Sequence, residues 1–288
     1  MILIADSGST KCDWALVSSD FEKRGYFRSM GLNPYFHTPE VIERALRDNA
    51  ELASLAEEIT HVFFYGAGSS SAKLCAIMEA GLARVFSNAR ILVDHDLVGA
   101  AYSTYSGEPS ISCILGTGSN SVFFDGTSIY EEVPSLAYIV GDEASGSYYG
   151  KDLLRAYFYK RLPKELHDAF ERDYAPTKDE FVDRVYNQPD ANVYLASFMK
   201  FLGDQYEHPW CKELIKKGQR DFLEVHVKCY SNWAEVPVHF VGSGAYHFRK
   251  ELDEVCAEMG IRLGNIIRRP IDGLVAYHKQ YKQEEINA

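Results

Sequence analysis

Ile2-Leu3-Ile4-Ala5 runs into Asp6-Ser7-Gly8-Ser9-Thr10-Lys11, and further along Ile111-Ser112-Cys113-Ile114-Leu115 runs into Gly116-Thr117-Gly118-Ser119-Asn120. Each time an apolar strand-like run ends in a short glycine-bearing turn, and a second strand-like run follows, Cys12 to Val17 and Ser121 to Phe124. A hairpin tip built from Gly, Ser and Thr exposes backbone N–H groups and hydroxyls together, a concavity suited to phosphate oxygens. One such tip does no more than turn the chain. Two in like context predict a duplicated domain gripping one polyphosphate from both sides.

The rest of the composition narrows the class. With 288 residues the chain is long enough for two domains of ordinary size. Its 46% hydrophobic and 25% charged residues are those of a soluble globular protein. A net charge of -11 argues against nucleic acid, which calls for a basic face. It leaves ATP open, because a few N–H donors, one Lys and a metal ion outweigh the average field locally. No apolar run approaches the roughly 20 residues of a membrane helix. Met1 leads straight into Ile2 to Asp6 without the basic start of a signal peptide. The six cysteines (12, 75, 113, 211, 229 and 256) form no C-x-x-C pair, so a reducing, cytoplasmic setting is expected, without disulfides or zinc. In Asp94-His95-Asp96, strand alternation would point His95 away from both acids, which argues against a metal cage.

Along the first half, strands alternate with helices. An extended piece covers Gly25 to Met30, then Gly31-Leu32-Asn33-Pro34 turns the chain. Thr38-Pro39 opens a helix, Thr as N-cap and Pro at N1, with apolar positions from Val41 to Leu55. Strand His61 to Tyr65, a helix from Ala72 to Phe86, strand Ile91 to Val93 and a short helix Leu97 to Tyr105 follow. Ser106-Gly107-Glu108-Pro109 is the expected boundary, giving domains 1–107 and 108–288. The second half repeats the plan but inserts helices at Leu153 to Leu162, Glu165 to Tyr174, Asp179 to Tyr186, Val193 to Leu202 and Pro209 to Trp233. Strand Val238 to Val241, Gly242-Ser243-Gly244, helix His247 to Glu258, strand Ile261 to Leu263 and a final helix after Pro270 close the chain.

Two common nucleotide motifs are missing. Each Gly-x-Gly lacks the third glycine of a dinucleotide fingerprint, which would stand at Ser71, Ser121 or His247, and there is no G-x-x-x-x-G-K-[ST]. Instead Asp6-Ser7-Gly8-Ser9-Thr10-Lys11, Gly116-Thr117-Gly118-Ser119-Asn120, Gly141-Asp142-Glu143-Ala144-Ser145-Gly146 and Val241-Gly242-Ser243-Gly244 resemble, in order, the motifs of the N-acetylglucosamine kinase / BadF-type ATPase family. That family belongs to the actin, Hsp70 and sugar-kinase superfamily, and the resemblance runs from residue 2 to about 277. It implies an α/β, two-domain actin-like ATPase (ribonuclease H-like) fold with an interdomain cleft and a helical insertion in the second domain.

The resemblance also implies roles. Asp6 would hold Mg²⁺, and Gly8, Ser9, Thr10 and Lys11 would line the phosphate path. Gly116, Thr117 and Gly118 would close on the phosphates of ATP from the second domain. Gly242, Ser243 and Gly244 match the turn that packs on adenosine, where a missing Cβ permits close approach; a plain helix-entry turn also explains them. Asp96 would take the proton from the attacking sugar hydroxyl, with Asp94 as fallback and an ordinary N-cap as the alternative for Asp96. Asn33 and Asn120 would lie by the sugar. Asp142, read as opening a helix, would bind a sugar hydroxyl or complement the helix dipole.

Two departures stand out. Members of the family carry Gly-Gly-Trp before Gly-Asp-Glu, where this chain has Pro134-Ser135-Leu136, and position 7 is Ser where Gly is usual. The expected activity is phosphoryl transfer from ATP to a sugar hydroxyl, N-acetylglucosamine or a related amino sugar, with no membrane or nucleic-acid partner. The alternatives are a non-catalytic nucleotide or sugar sensor and an ATPase that activates a partner enzyme. The helical tract from Leu153 to Trp233 has apolar faces for a core or for a homodimer interface.

Overall fold

The structure is a computed structural model that describes residues 1–283; the end of the second expected domain, 284–288, lies outside the described residues. The opening hairpin pairs β1 (Ile2–Ser7) with β2 (Lys11–Val17), antiparallel, with Asp6 opposite Asp13 and Ser7 opposite Cys12. Strand β3 (Lys23–Met30) continues antiparallel on β2, while β4 (His61–Gly66) and β5 (Arg90–His95) add in parallel on the other side. The sheet order is β3-β2-β1-β4-β5.

Period-two alternation along β1 explains its burial on both faces. Leu3 and Ala5 pack with Trp14, Leu16, Val62 and Phe64 against Ile42, Leu46, Met78 and Leu82 of the helices Pro39–Arg47 and Ala72–Ala83. Ile2 and Ile4 pack with Ala15, Val17, Phe63 and Tyr65 against Ile271, Leu274 and Val275 of the helix Ile271–Tyr281.

The second sheet repeats the plan. Strands β6 (Ser110–Leu115), β7 (Ser119–Phe124), β8 (Ile129–Tyr130), β9 (Val238–Val241) and β10 (Leu263–Ile267) lie in the order β8-β7-β6-β9-β10. Parallel pairing of β9 on β6 and β10 on β9 corresponds to β4 on β1 and β5 on β4. A connection as short as Gly116-Thr117-Gly118 makes β6 and β7 the counterpart of the opening hairpin. The inserted helices, the longest of them Pro209–His226, form this unit's core with Leu153, Phe170, Phe201, Ile215 and Phe222.

The chain divides into two compact units. One comprises Met1–Pro109, Phe124–Ile129 and the chain from Arg269; the other comprises Ser110–Phe123 and Tyr130–Arg268. The final helix, expected with the second half, belongs to the first unit because its apolar face covers Ile2, Ile4 and Phe63.

Several boundaries differ from the sequence reading. Pro39 does open a helix, but it stops at Arg47, and Asn49 starts another by accepting the N–H of Leu52. The expected Leu153–Leu162 helix begins at Gly146, because Ser145 caps it through the N–H of Tyr148. The stretch from Val193 to Leu202 is two helices, Ala191–Ser197 and Met199–Asp204. The longest helix ends at His226, whose carbonyl accepts the Ser121 hydroxyl at 2.5 Å.

Candidate functional site

In the first unit the Gly8 N–H closes the hairpin tip on the Lys11 carbonyl at 3.0 Å. A Cβ on Gly8 would meet nothing nearer than that carbonyl at 3.9 Å, so the fold itself does not demand glycine there. Support comes from behind. A Cβ on Gly31 would lie 2.3 Å from the Gly8 carbonyl oxygen, so the chain after β3 presses directly on the tip. Ser7, fully buried, donates its hydroxyl to the Leu32 carbonyl at 3.1 Å and accepts the Leu32 N–H at 2.9 Å. The serine at the position where glycine is usual thus ties the first glycine turn to the segment carrying Asn33.

Three carboxylates crowd the end of this sheet. Burial, then the charges of Asp96 and Asp13, push the pKa of Asp6 up to about 7, with Lys11 opposing. Asp13, itself buried, is met by Arg28 Nε at 2.8 Å, Lys11 Nζ at 3.6 Å and Arg269 Nε at 3.9 Å. Mg²⁺ fits this donor set: it is held through one or two carboxylates plus phosphate oxygens, and a dication beside Asp6 would relieve its like-charged neighbours. Among the described residues no group of three or more His, Cys, Asp or Glu side chains could hold a metal ion without such a ligand. Sequence reasoning missed Asp13, Arg28 and Arg269. The pairing of Asp13 opposite both Asp6 and Arg28 is the signal for the first two, and it needed the strand register.

Asp96 is the first residue of the helix Asp96–Thr104, with His95 in the cap position. The expectation that His95 points away from both acids does not hold: its Nε2 lies 3.2 Å from Asp96 Oδ1. Alternation stops applying where the strand passes into a helix. Asp94, the fallback, is exposed and accepts the N–H of His95 at 2.8 Å. Asn33 is buried, and its Oδ1 accepts the N–H of Tyr35 at 2.9 Å. A Cβ on Gly68, at φ +82°, would lie 2.2 Å from that Oδ1, so this glycine admits the asparagine.

In the second unit, Gly116-Thr117-Gly118 is clamped by the segment from Gly141 to Ser147. The N–H groups of Gly146 and Ser147 bind the carbonyls of Gly116 at 2.8 Å and Thr117 at 3.1 Å. Ser119 donates its hydroxyl to the Glu143 carbonyl at 2.7 Å. A Cβ on Gly116 would meet nothing nearer than 3.8 Å, the same latitude as at Gly8.

Asp142 does not open a helix. It precedes the Ser145 cap, at φ +62°, and accepts the Ser119 N–H at 3.3 Å and the Ser147 hydroxyl at 3.4 Å. Burial raises its pKa against those two hydrogen bonds. Ala144 is also left-handed, at φ +59°. Two non-glycine residues so close together in this region mark a strained segment held by its surroundings. Asn120 is buried and gives its Nδ2 to Glu131 Oε1 at 3.0 Å.

Gly242 answers to the protein's own backbone. Its φ is +119°, and a Cβ there would lie 2.4 Å from the Leu115 carbonyl oxygen, while one on Gly244 would lie 3.0 Å from the same atom. The close approach that these glycines permit is to the end of β6, and Ser243 starts the short helix Ser243–His247.

Two like sheets of order 3-2-1-4-5, each bearing a glycine turn after its first strand, define an actin-like ATPase fold. The chain has 35% identity and a TM-score of 0.92 with a protein from Porphyromonas gingivalis described provisionally as an N-acetylglucosamine kinase, over 98% of this chain and 100% of that one. At that identity over that length, the chain belongs to the N-acetylglucosamine kinase family of sugar kinases. A Chromobacterium violaceum protein with the same provisional description shares the fold at 17% identity and a TM-score of 0.70, over 96% and 98% of the two chains. So does a ROK family glucokinase from Streptomyces griseus, in complex with glucose and AMPPNP, at 14% identity and a TM-score of 0.57, over 98% and 99%. No protein-family model matches the chain, and no curated protein matches it in sequence.

Proposed function

We propose that this protein is an ATP-dependent kinase that transfers the γ-phosphoryl group of Mg·ATP to a hydroxyl of N-acetylglucosamine or a related amino sugar. The observation that carries the reading is the pair of equivalent glycine turns, Asp6 to Lys11 and Gly116 to Asn120, each following the first strand of a like five-stranded sheet. A turn of Gly, Ser and Thr that presents backbone N–H groups and hydroxyls together suits phosphate oxygens, and its repetition at the same place in both sheets supports a shared polyphosphate ligand. The provisional description of the Porphyromonas gingivalis relative supports the sugar, and the AMPPNP bound to the Streptomyces griseus enzyme supports the nucleotide.

In this reading Gly8, Ser9, Thr10 and Lys11, and likewise Gly116, Thr117 and Gly118, bind phosphate oxygens of the nucleotide. Gly242, Ser243 and Gly244 form the adenosine-side turn. Bound Mg²⁺, held by Asp6, would neutralise charge on the phosphates. Asp96, kept in orientation by His95, accepts the proton of the attacking hydroxyl. Asn33, Asn120 and Asp142 bind the acceptor. Positioning and charge neutralisation supply most of the catalysis in such a transfer.

Among the described residues no helix is long and apolar enough to cross a membrane; we place the enzyme in the cytoplasm. The test is ADP release from Mg·ATP against a panel of hexoses and amino sugars that includes N-acetylglucosamine. Strong stimulation by an amino sugar is expected. ATP binding without stimulation by any sugar would overturn the kinase reading.

A further inference from the structure

Beside Asp142 the second unit holds an ionisable pair with no part in the roles above. Glu143 Oε2 lies 3.3 Å from His226 Nε2. The two differ in exposure: the His226 side chain is 4% exposed and that of Glu143 22%. Burial pushes the His226 pKa down, against the charges of Glu143 and Glu131, and facing a carboxylate oxygen, Nε2 is the nitrogen placed to donate. The Nδ1 of His226 has no hydrogen-bond partner among the described residues. A buried histidine with one nitrogen unsatisfied is costly. Here it sits where its other nitrogen can fix one carboxylate oxygen.

The surroundings fix both partners. His226 stacks on Phe222, with ring centroids 5.0 Å apart, and its carbonyl is tied to Ser121. The Glu143 carbonyl is tied to Ser119, next to the phosphate turn. No described hydrogen bond uses Glu143 Oε1. We infer that Glu143, oriented by His226, is a ligand-contacting specificity residue whose Oε1 accepts a hydrogen bond from a hydroxyl or N–H group of the acceptor sugar. Together with Asp142 and Glu131 it makes this side of the site rich in acceptors, which suits a neutral or amine-bearing sugar and repels a sugar acid or a sugar already phosphorylated.

The inference rests on the sugar-kinase reading, and the test separates the two. Sugar affinity is measured by titration calorimetry without nucleotide, alongside sugar and ATP KM values from initial rates. Glu143→Gln keeps the shape but turns an acceptor toward the ligand into a donor. We expect it to raise the sugar Kd and KM about tenfold or more, with the ATP KM little changed. His226→Gln should weaken sugar binding less than His226→Leu, because glutamine retains a donor. Combining His226→Leu with Glu143→Gln should add little to either alone. Wild-type sugar affinity in Glu143→Gln would overturn the contact while leaving the kinase intact. Sugar binding without phosphoryl transfer would overturn the kinase reading, and the calorimetric comparison would still decide Glu143.

Discussion

Gly8 and Gly244 are both glycines in candidate nucleotide turns, yet a side chain would meet very different surroundings at each. At Gly244 a Cβ would lie 3.0 Å from the Leu115 carbonyl oxygen; at Gly8 the nearest atom is 3.9 Å away and φ is not left-handed. Gly8→Ala should therefore leave thermal stability unchanged or raise it by about 0.5 kcal/mol through the unfolded chain. The same variant should weaken ATP binding roughly tenfold or more, because the methyl group occupies the approach to the N–H groups. Calorimetry and a melting curve on one sample check both halves. Equal ATP affinity would reduce the tip to a plain turn.

Asp96 carries the other residue-level prediction. It is the first residue of its helix, and its Oδ1 lies 3.2 Å from His95 Nε2. Asp96→Asn should lower kcat at least about a hundredfold with ATP affinity nearly intact. Steady-state rates and a nucleotide titration decide it, and near-normal turnover would remove Asp96 from the role. The motif made Asp96 a candidate. The partnership with His95 was hidden, because it depends on where the strand gives way to the helix.

Among the elements, the entry to the helix Ser243–His247 shows how a motif and its reason can separate. Gly242-Ser243-Gly244 was legible, but which surface it approaches was not, since Leu115 is far away in sequence. At φ +119°, with the Leu115 oxygen 2.4 Å from where a Cβ would stand, Gly242→Ala should cost on the order of 2–4 kcal/mol. A denaturant melt reads that loss directly, and a wild-type midpoint would contradict the packing described. The segment from Gly141 to Ser147 follows the same logic. Its composition suggested a helix start at Asp142, whereas its contacts with Gly116, Thr117 and Ser119 draw it into a left-handed path and delay the helix to Gly146.

For the molecule as a whole, the final helix has a pH signature. His278 is fully buried on the first sheet, its Nε2 2.9 Å from the Tyr65 hydroxyl, and burial holds its pKa down to about 3. Below the unfolded value near 6.5 the unfolded chain takes up a proton that the folded protein does not, so stability falls as pH drops from there toward 3. At pH 5 the loss amounts to about 2 kcal/mol. His278→Gln, which cannot titrate, should melt with a shallower pH dependence than the wild type across that window. Parallel curves would show that the ring is protonated in the fold.

The sequence by itself determined the repeating plan, because apolar alternation and glycine turns are local signals that each strand and hairpin carries whole. It also determined the candidate residues at the turns, Asp6 to Lys11 and Gly116 to Asn120, since their chemistry is written in residue type and spacing. Only the tertiary structure decided which unit the last helix completes, because covering Ile2 and Ile4 is a long-range burial that no local pattern encodes. It alone brought Arg28 and Arg269 to Asp13, His226 to Glu143 and Ser7 to Leu32. Those partners come from separate strands and helices, and what joins them is register and packing.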